Sequence, residues 1–139
     1  MQLDKNEKMP IIDSILDTFL YTFGRDIVLL KKQIAIEHMG FFEIRFQYIP
    51  LEYELVFEND RGVFSIIIYD SEGAHNILYR IEKYNNQTTV ENVKNATIIL
   101  KNILEKNEFC FYIEKNGKLY KKEKHTYSRV KDMRELFTS

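Results

Sequence analysis

Tryptophan is absent from this 139-residue chain, cysteine occurs once, proline twice and glycine five times. The lone Cys110 excludes an internal disulfide, and with it the stapled frameworks of small extracellular domains. The glycines at 24, 40, 62, 73 and 117 are too widely spaced for a phosphate-cradling loop, which excludes the common nucleotide-binding signatures. The three histidines, His38, His75 and His125, stand far apart, and none belongs to an HExxH or CxxC arrangement, so no metal site is expected. Neither Ser65 nor Ser71 sits in a GxSxG elbow. Apolar runs such as Ile27-Val28-Leu29-Leu30 fall far short of the ~20 residues that span a bilayer. Charged residues fill Met1 to Lys8, where a signal peptide needs an apolar stretch, and the cytoplasm is the expected compartment.

What is present is core material and charge. Apolar residues make up 45% of the chain and Phe and Tyr together 14%, enough for a packed interior in a domain of this length. The net charge of −1 hides a segregation. Residues 1–114 carry 12 Lys/Arg against 18 Asp/Glu, and residues 115–139 carry 8 against 3, a net of −6 and +5. The chain thus reads as one domain, 1–139, with a basic C-terminal segment 115–139. That polarity suits oriented association with a charged partner, or simply a solvated hairpin and helix end.

Periodicity places the elements. Ile12, Ile15, Leu16, Phe19, Leu20 and Phe23 recur at three- and four-residue steps, which predicts a helix with Pro10 in its first turn and a stop at Gly24. Ile27, Leu30 and Ile34 keep helical spacing, so residues 26–38 are expected to resume the helix after a kink. Beyond Gly40 the period drops to two. Phe42, Ile44, Phe46 and Tyr48 alternate with Glu43, Arg45 and Gln47, and after Pro50 Tyr53, Leu55 and Phe57 alternate with Glu52, Glu54 and Glu58. Asn59-Asp60-Arg61-Gly62 reverses the chain into a third strand, Val63 to Tyr69, apolar on both faces and so expected to be central. Residues 76–84 fit either period, with a fourth meander strand favoured. Thr88 and Glu91 match a capping box for a helix buried through Val93, Ala96, Leu100, Ile103 and Leu104. Phe109 to Glu114 reads as a strand that would bury Cys110 as an inert thiol, Asn116-Gly117 as a type I′ hairpin turn and Leu119 to Glu123 as its return. Val130, Met133 and Phe137 suggest a short C-terminal helix. The class is α+β: N-terminal helix or helices, an antiparallel meander of three to four strands, a central helix, a hairpin and a terminal helix.

No catalytic motif emerges. Glu52 and Glu54 are expected to project from one side of a strand roughly 6.5–7 Å apart, a spacing compatible with acid–base pairs and equally with any solvated strand face. Glu43-Ile44-Arg45 and Glu114-Lys115 only echo the carboxylate/lysine pairings of nucleases. The densest polar feature is acidic: Glu52, Glu54, Glu58, Asp60, Asp70 and Glu72, on outward positions and turns of one meander with Tyr48, Tyr53 and Tyr69 nearby. Such a surface suits a basic protein partner. The tail residues Lys118, Lys121, Lys122, Lys124, Arg129, Lys131 and Arg134, with Tyr120 and Tyr127, could contact phosphates and bases, but the chain as a whole is not basic, and nucleic acid is not the expected partner.

The runs Tyr53-Glu54-Leu55-Val56-Phe57-Glu58, Gly62-Val63-Phe64-Ser65-Ile66 and Leu78-Tyr79-Arg80-Ile81, with the helix leading to Asn116-Gly117, resemble small bacterial immunity proteins of polymorphic toxin systems. The resemblance implies a cytoplasmic, cofactor-free, non-enzymatic domain that binds one toxin and occludes it. The alternatives are a small hydrolase built on these carboxylates and a regulatory nucleic-acid binder acting through the basic tail.

Overall fold

The computed structural model describes residues 5–35, 40–123 and 126–131, with side chains from residue 11 onward. Helix α1 (Lys5–Phe23) begins ahead of the expected Pro10 start and buries Ile12, Ile15, Phe19 and Phe23 along one stripe. Gly24, at φ +56°, stops it as expected, in a conformation that costs a Cβ-bearing residue energy. A 3-10 turn (Gly24–Asp26) follows, and the chain then becomes extended.

Here the helical expectation for residues 26–38 fails: β1 (Ile27–Ala35) is a strand, and residues 36–38 lie outside the described ones. Among the described residues, eight strands form one antiparallel sheet in strict chain order: β1, β2 (Phe41–Tyr48), β3 (Tyr53–Asp60), β4 (Val63–Tyr69), β5 (His75–Ile77), β6 (Tyr112–Lys115), β7 (Lys118–Glu123) and β8 (Thr126–Arg129). The α+β class holds, while the expected three or four meander strands undercount the sheet. Residues 76–84 split between the two periods, into the end of β5 and a single helical turn, α2 (Leu78–Ile81). Residues 109–111 stay outside β6, and Cys110 is only half-buried, not sealed within a strand. Val130 follows β8 without entering a helix, and the remainder of the expected terminal helix, with Met133 and Phe137, falls outside the described residues.

The second long helix, α3 (Val90–Lys106), is capped one residue later than expected. The Thr89 hydroxyl accepts from the Asn92 N–H at 3.1 Å, while the Thr88 hydroxyl donates to the buried Asn59 side chain. Asn59 in turn donates to the Gly40 carbonyl, so one side chain ties together the entries to α3 and β2. The helix closes on Asn107 in the left-handed region, and the Tyr53 hydroxyl donates to the Asn107 side chain at 2.9 Å.

Both long helices cover one face of the sheet. Phe42, Ile44 and Phe46 of β2, Leu55 and Phe57 of β3, and Phe64, Ile66 and Ile68 of β4 meet α1 and the α3 stripe of Val93, Ala96, Leu100 and Leu104. Phe19 stacks on Phe46 at 4.6 Å between ring centroids, and Phe57 lies within about 6 Å of Phe19, Phe42 and Phe64. The period-two alternation of β2 to β4 therefore sends the other set of side chains to the opposite face. Asn116 and Gly117 both take positive φ, 54° and 74°, as the β6–β7 turn requires. Joined to β5 through the single pair His75–Tyr112, that hairpin runs on past the end of the sheet where β2 turns into β3 and β4 into β5. No helix among the described residues is long and apolar enough to cross a membrane.

Candidate functional site

Register decides which polar side chains meet on the sheet face opposite α1 and α3. Glu43 stands across from Glu58, Arg45 across from Val56, and Gln47 across from Glu54. On β4 the same rows continue with Ser65 beside Glu58, Ile67 beside Val56 and Tyr69 beside Glu54. Cross-strand neighbours this close interact directly, so the rows assemble a cluster that no single strand contains.

Arg45 organises it. Its Nε and Nη2 grip the two carboxylate oxygens of Glu43 at 3.0 and 3.2 Å, and Nη1 reaches Glu54 at 2.8 Å. The fork geometry of guanidinium matches a carboxylate in this bidentate mode, where a lysine would offer only a point charge. The hydrogen bond to Glu43, then that to Glu54, raises the Arg45 pKa further above its ordinary value. The Glu43 side chain is only 10% exposed, whereas Arg45 and Glu54 keep about a third of their surfaces accessible, at 34% and 33%. The cluster thus has a buried anchor and a presented edge.

Glu58 completes it from the other side of Glu43. Burial pushes its carboxyl up, and the negative charge and hydrogen bond of Glu43 push it further, with Arg45 offsetting part of the effect. A carboxyl whose pKa is higher folded than unfolded contributes stability while protonated. It loses that contribution as pH rises from the ordinary glutamate value through the raised one. Glu58→Gln, which keeps a hydrogen-bonding group and removes the like charge, is therefore expected to raise stability at pH 7 by roughly 0.5 kcal/mol. Thermal melts at pH 7 and pH 3 check this: the advantage should vanish at the lower pH, and a variant no more stable at pH 7 would contradict the pairing. Along the same face, burial raises the Tyr69 phenol, and burial followed by the Arg80 charge lowers His75.

The six acidic residues singled out in the sequence separate into four places. Glu54 and Glu58 join the cluster. Glu52 does not sit beside Glu54 on a strand: Pro50 draws the chain into a 3-10 turn (Ile49–Leu51), and Glu52 ends it, exposed and left-handed at φ 57°. Asp60 lies at the opposite end of β3, exposed and 3.8 Å from Arg61. Asp70 and Glu72 occupy the β4–β5 turn, where Asp70 accepts the backbone N–H groups of Glu72 and Ala74, and both acids accept from Lys122 of β7 at 2.5 and 3.2 Å. Lys122 is thereby engaged within the fold. Lys118, Arg129 and Lys131 of the basic segment are exposed, and Lys124 and Arg134 lie outside the described residues.

Glu43 and Arg45 were the residues missing from the acidic patch as read along the chain. Their signal was present in the alternation of β2, but only the register of β2 on β3 shows that they share a face with Glu54 and Glu58. Among the described residues, no group of three His, Cys, Asp or Glu is placed to hold a metal ion. Three open grooves are lined by other residues, the roomiest of them, about 960 Å³, running between α1 and α3 past Asp17, Tyr21, Lys94 and Ile98. Compared with known proteins, the chain matches no family model, no curated protein and no solved structure.

Proposed function

We propose that this chain is a non-enzymatic binding domain that recognises a basic surface of another protein through the sheet face bearing Glu43, Arg45, Glu54 and Glu58. In this reading it acts as an immunity-type inhibitor, covering a toxin rather than transforming a substrate. The observation that carries the reading is the Arg45 clamp. It fixes two carboxylates before any partner arrives, so little side-chain entropy is lost on binding. The presented Glu54 carboxylate beside the half-buried Tyr69 ring offers charge for steering and selectivity next to a rigid amphipathic contact. The absence of the usual catalytic motifs and the chain's likeness in style to immunity proteins support the same direction.

One observation favours a second reading. Glu58, whose carboxyl is pushed up by burial and by the neighbouring Glu43, forms a close carboxylate pair of the kind acid–base hydrolases use. Under that reading Glu58→Gln abolishes a hydrolytic activity; under the binding reading there is no such activity for it to remove.

The functional test is coexpression with the protein encoded by the adjacent reading frame in the source genome, scored as cell growth. Wild type is expected to protect, Glu54→Lys/Glu58→Lys to lose protection while remaining folded, and Glu52→Lys/Asp60→Lys to retain it. Absence of protection by the wild type, or full protection by Glu54→Lys/Glu58→Lys, overturns the proposal.

A further inference from the structure

The sheet is not equally secured along its length. β3 lies on β4 from Glu54 to Asp60, whereas β5 and β6 meet at the single pair His75–Tyr112. The core beneath α1 and α3 reaches Phe109 and Phe111 and, among the described residues, takes no side chain from β6, β7 or β8. Those three strands pair with one another, β6 with β7 from Tyr112 to Lys115 and β7 with β8 from Tyr120 to Glu123. Residues 107–111, which lead into them from α3, belong to no helix or strand.

We infer that β6, β7 and β8 form a hinged arm, which comes away from β5 and loses its structure as a unit while the helix-covered part of the sheet stays folded. Residues 107–111 are the hinge, and they are anchored to the sheet. The Tyr53 hydroxyl donates to the Asn107 side chain, and the buried Asn76 side chain donates to the Cys110 carbonyl, both at 2.9 Å. A cavity of about 580 Å³ lies against the hinge, lined by Phe109, Cys110 and Phe111 together with Tyr53, Asp70 and Lys122. The joint is therefore not close-packed.

A charged latch crosses it. Oδ1 of Asp70 accepts the backbone N–H groups of Glu72 and Ala74 at 2.9 Å, which fixes the carboxylate and leaves Oδ2 to accept from Lys122 at 2.5 Å. Glu72 accepts from the same ammonium at 3.2 Å. The Asp70 and Lys122 side chains are only 7% and 17% exposed, so water screens the pair less than it does a surface ion pair. Even so, one ion pair in place of a strand ladder is a small hold. Once detached, a short ribbon with no covering layer is marginal in water, so opening and loss of structure coincide.

Register gives the arm a bearing on the face that carries Arg45. Glu54, Tyr69, His75 and Tyr112 form one row across β3, β4, β5 and β6. Tyr112 is fully buried in the closed arm. Opening withdraws it from the row and bares the edge of β5, so the arm sets how far that face extends.

Native-state hydrogen exchange of the full chain, read residue by residue by NMR, tests the hinge and the latch. Amides of β6, β7 and β8 are expected to exchange as one group, at least about tenfold faster than those of β2 to β4 and α3 after correction for intrinsic rates. Lys122→Met, which keeps the stem and removes the charge, is expected to speed the arm about tenfold further and to leave β2 to β4 unchanged. Asp70→Asn, which keeps an oxygen for the turn, is expected to do the same. The double variant should add little to either alone, because both break one tie. An arm that exchanges at the rates of β2 to β4, latch variants that leave the arm unchanged, or variants that accelerate β2 to β4 equally overturn the inference.

Discussion

Phe57→Ala is expected to destabilise the protein by about 4 kcal/mol, measured as a fall in the urea midpoint at unchanged slope. Phe57 lies in the middle of β3 with no exposed surface, and its ring meets Phe19 edge-on, Phe42 at 6.0 Å and Phe64 at 5.2 Å. Truncation removes the transfer free energy of the ring and leaves a void bounded by three other rings. Each of those is held by its own strand or helix, so the site collapses poorly, which is the condition for the upper part of the range. Against a total stability of about 5–15 kcal/mol, one substitution would consume a large fraction of the fold's margin. Phe57→Leu, which keeps much of the volume, is expected to cost less than half as much. A loss below about 2 kcal/mol for the alanine variant would mean that this aromatic stack is not the centre of the core.

Arg45→Ala is expected to cost about 2 kcal/mol. The cost comes from what is left behind. Glu43, nearly buried, loses both of its guanidinium hydrogen bonds while facing Glu58, and two close carboxylates then share one site without a cation. The figure stays at the lower end for a broken ion pair because Arg45 itself is a third exposed and water enters. Arg45→Lys should recover only part of the loss, since one ammonium cannot hold two oxygens of Glu43 and also reach Glu54. Adding Glu43→Gln to Arg45→Ala is expected to return most of the lost stability by removing the orphaned charge. Equal losses for Arg45→Ala and the double variant would show that the clamp contributes packing and not charge pairing.

How far the sequence foretold this arrangement differs from element to element. The α1 stripe of Ile12, Ile15, Phe19 and Phe23 and the alternation in β2 to β4 were legible because each element has one buried face, which stamps its period on the chain. The turn at Asn116-Gly117 was legible because few residue pairs accept two consecutive positive φ values. β1 was not: an edge strand uncovered on both faces has no reason to alternate, so Ile27, Leu30 and Ile34 could fall at helical spacing by chance. β5 and β6 are short and gain their partners from distant segments, as in the pair His75–Tyr112, and local pattern carries no record of that. The site was half legible for the same reason. Glu54 and Glu58 announced themselves by alternation, but Glu52 was lost to the Pro50 turn, and the roles of Glu43 and Arg45 depend on register between strands.

The central claim is that the carboxylates arranged by Arg45, and not acidity in general, form the recognition surface. Calorimetric titration of the protein encoded by the adjacent reading frame into wild type and two charge-reversed variants of equal net charge tests it. Glu54→Lys/Glu58→Lys is predicted to bind on the order of 100-fold more weakly than wild type, and Glu52→Lys/Asp60→Lys to stay within about threefold. Equal weakening of the two variants, or loss confined to Glu52→Lys/Asp60→Lys, would contradict it.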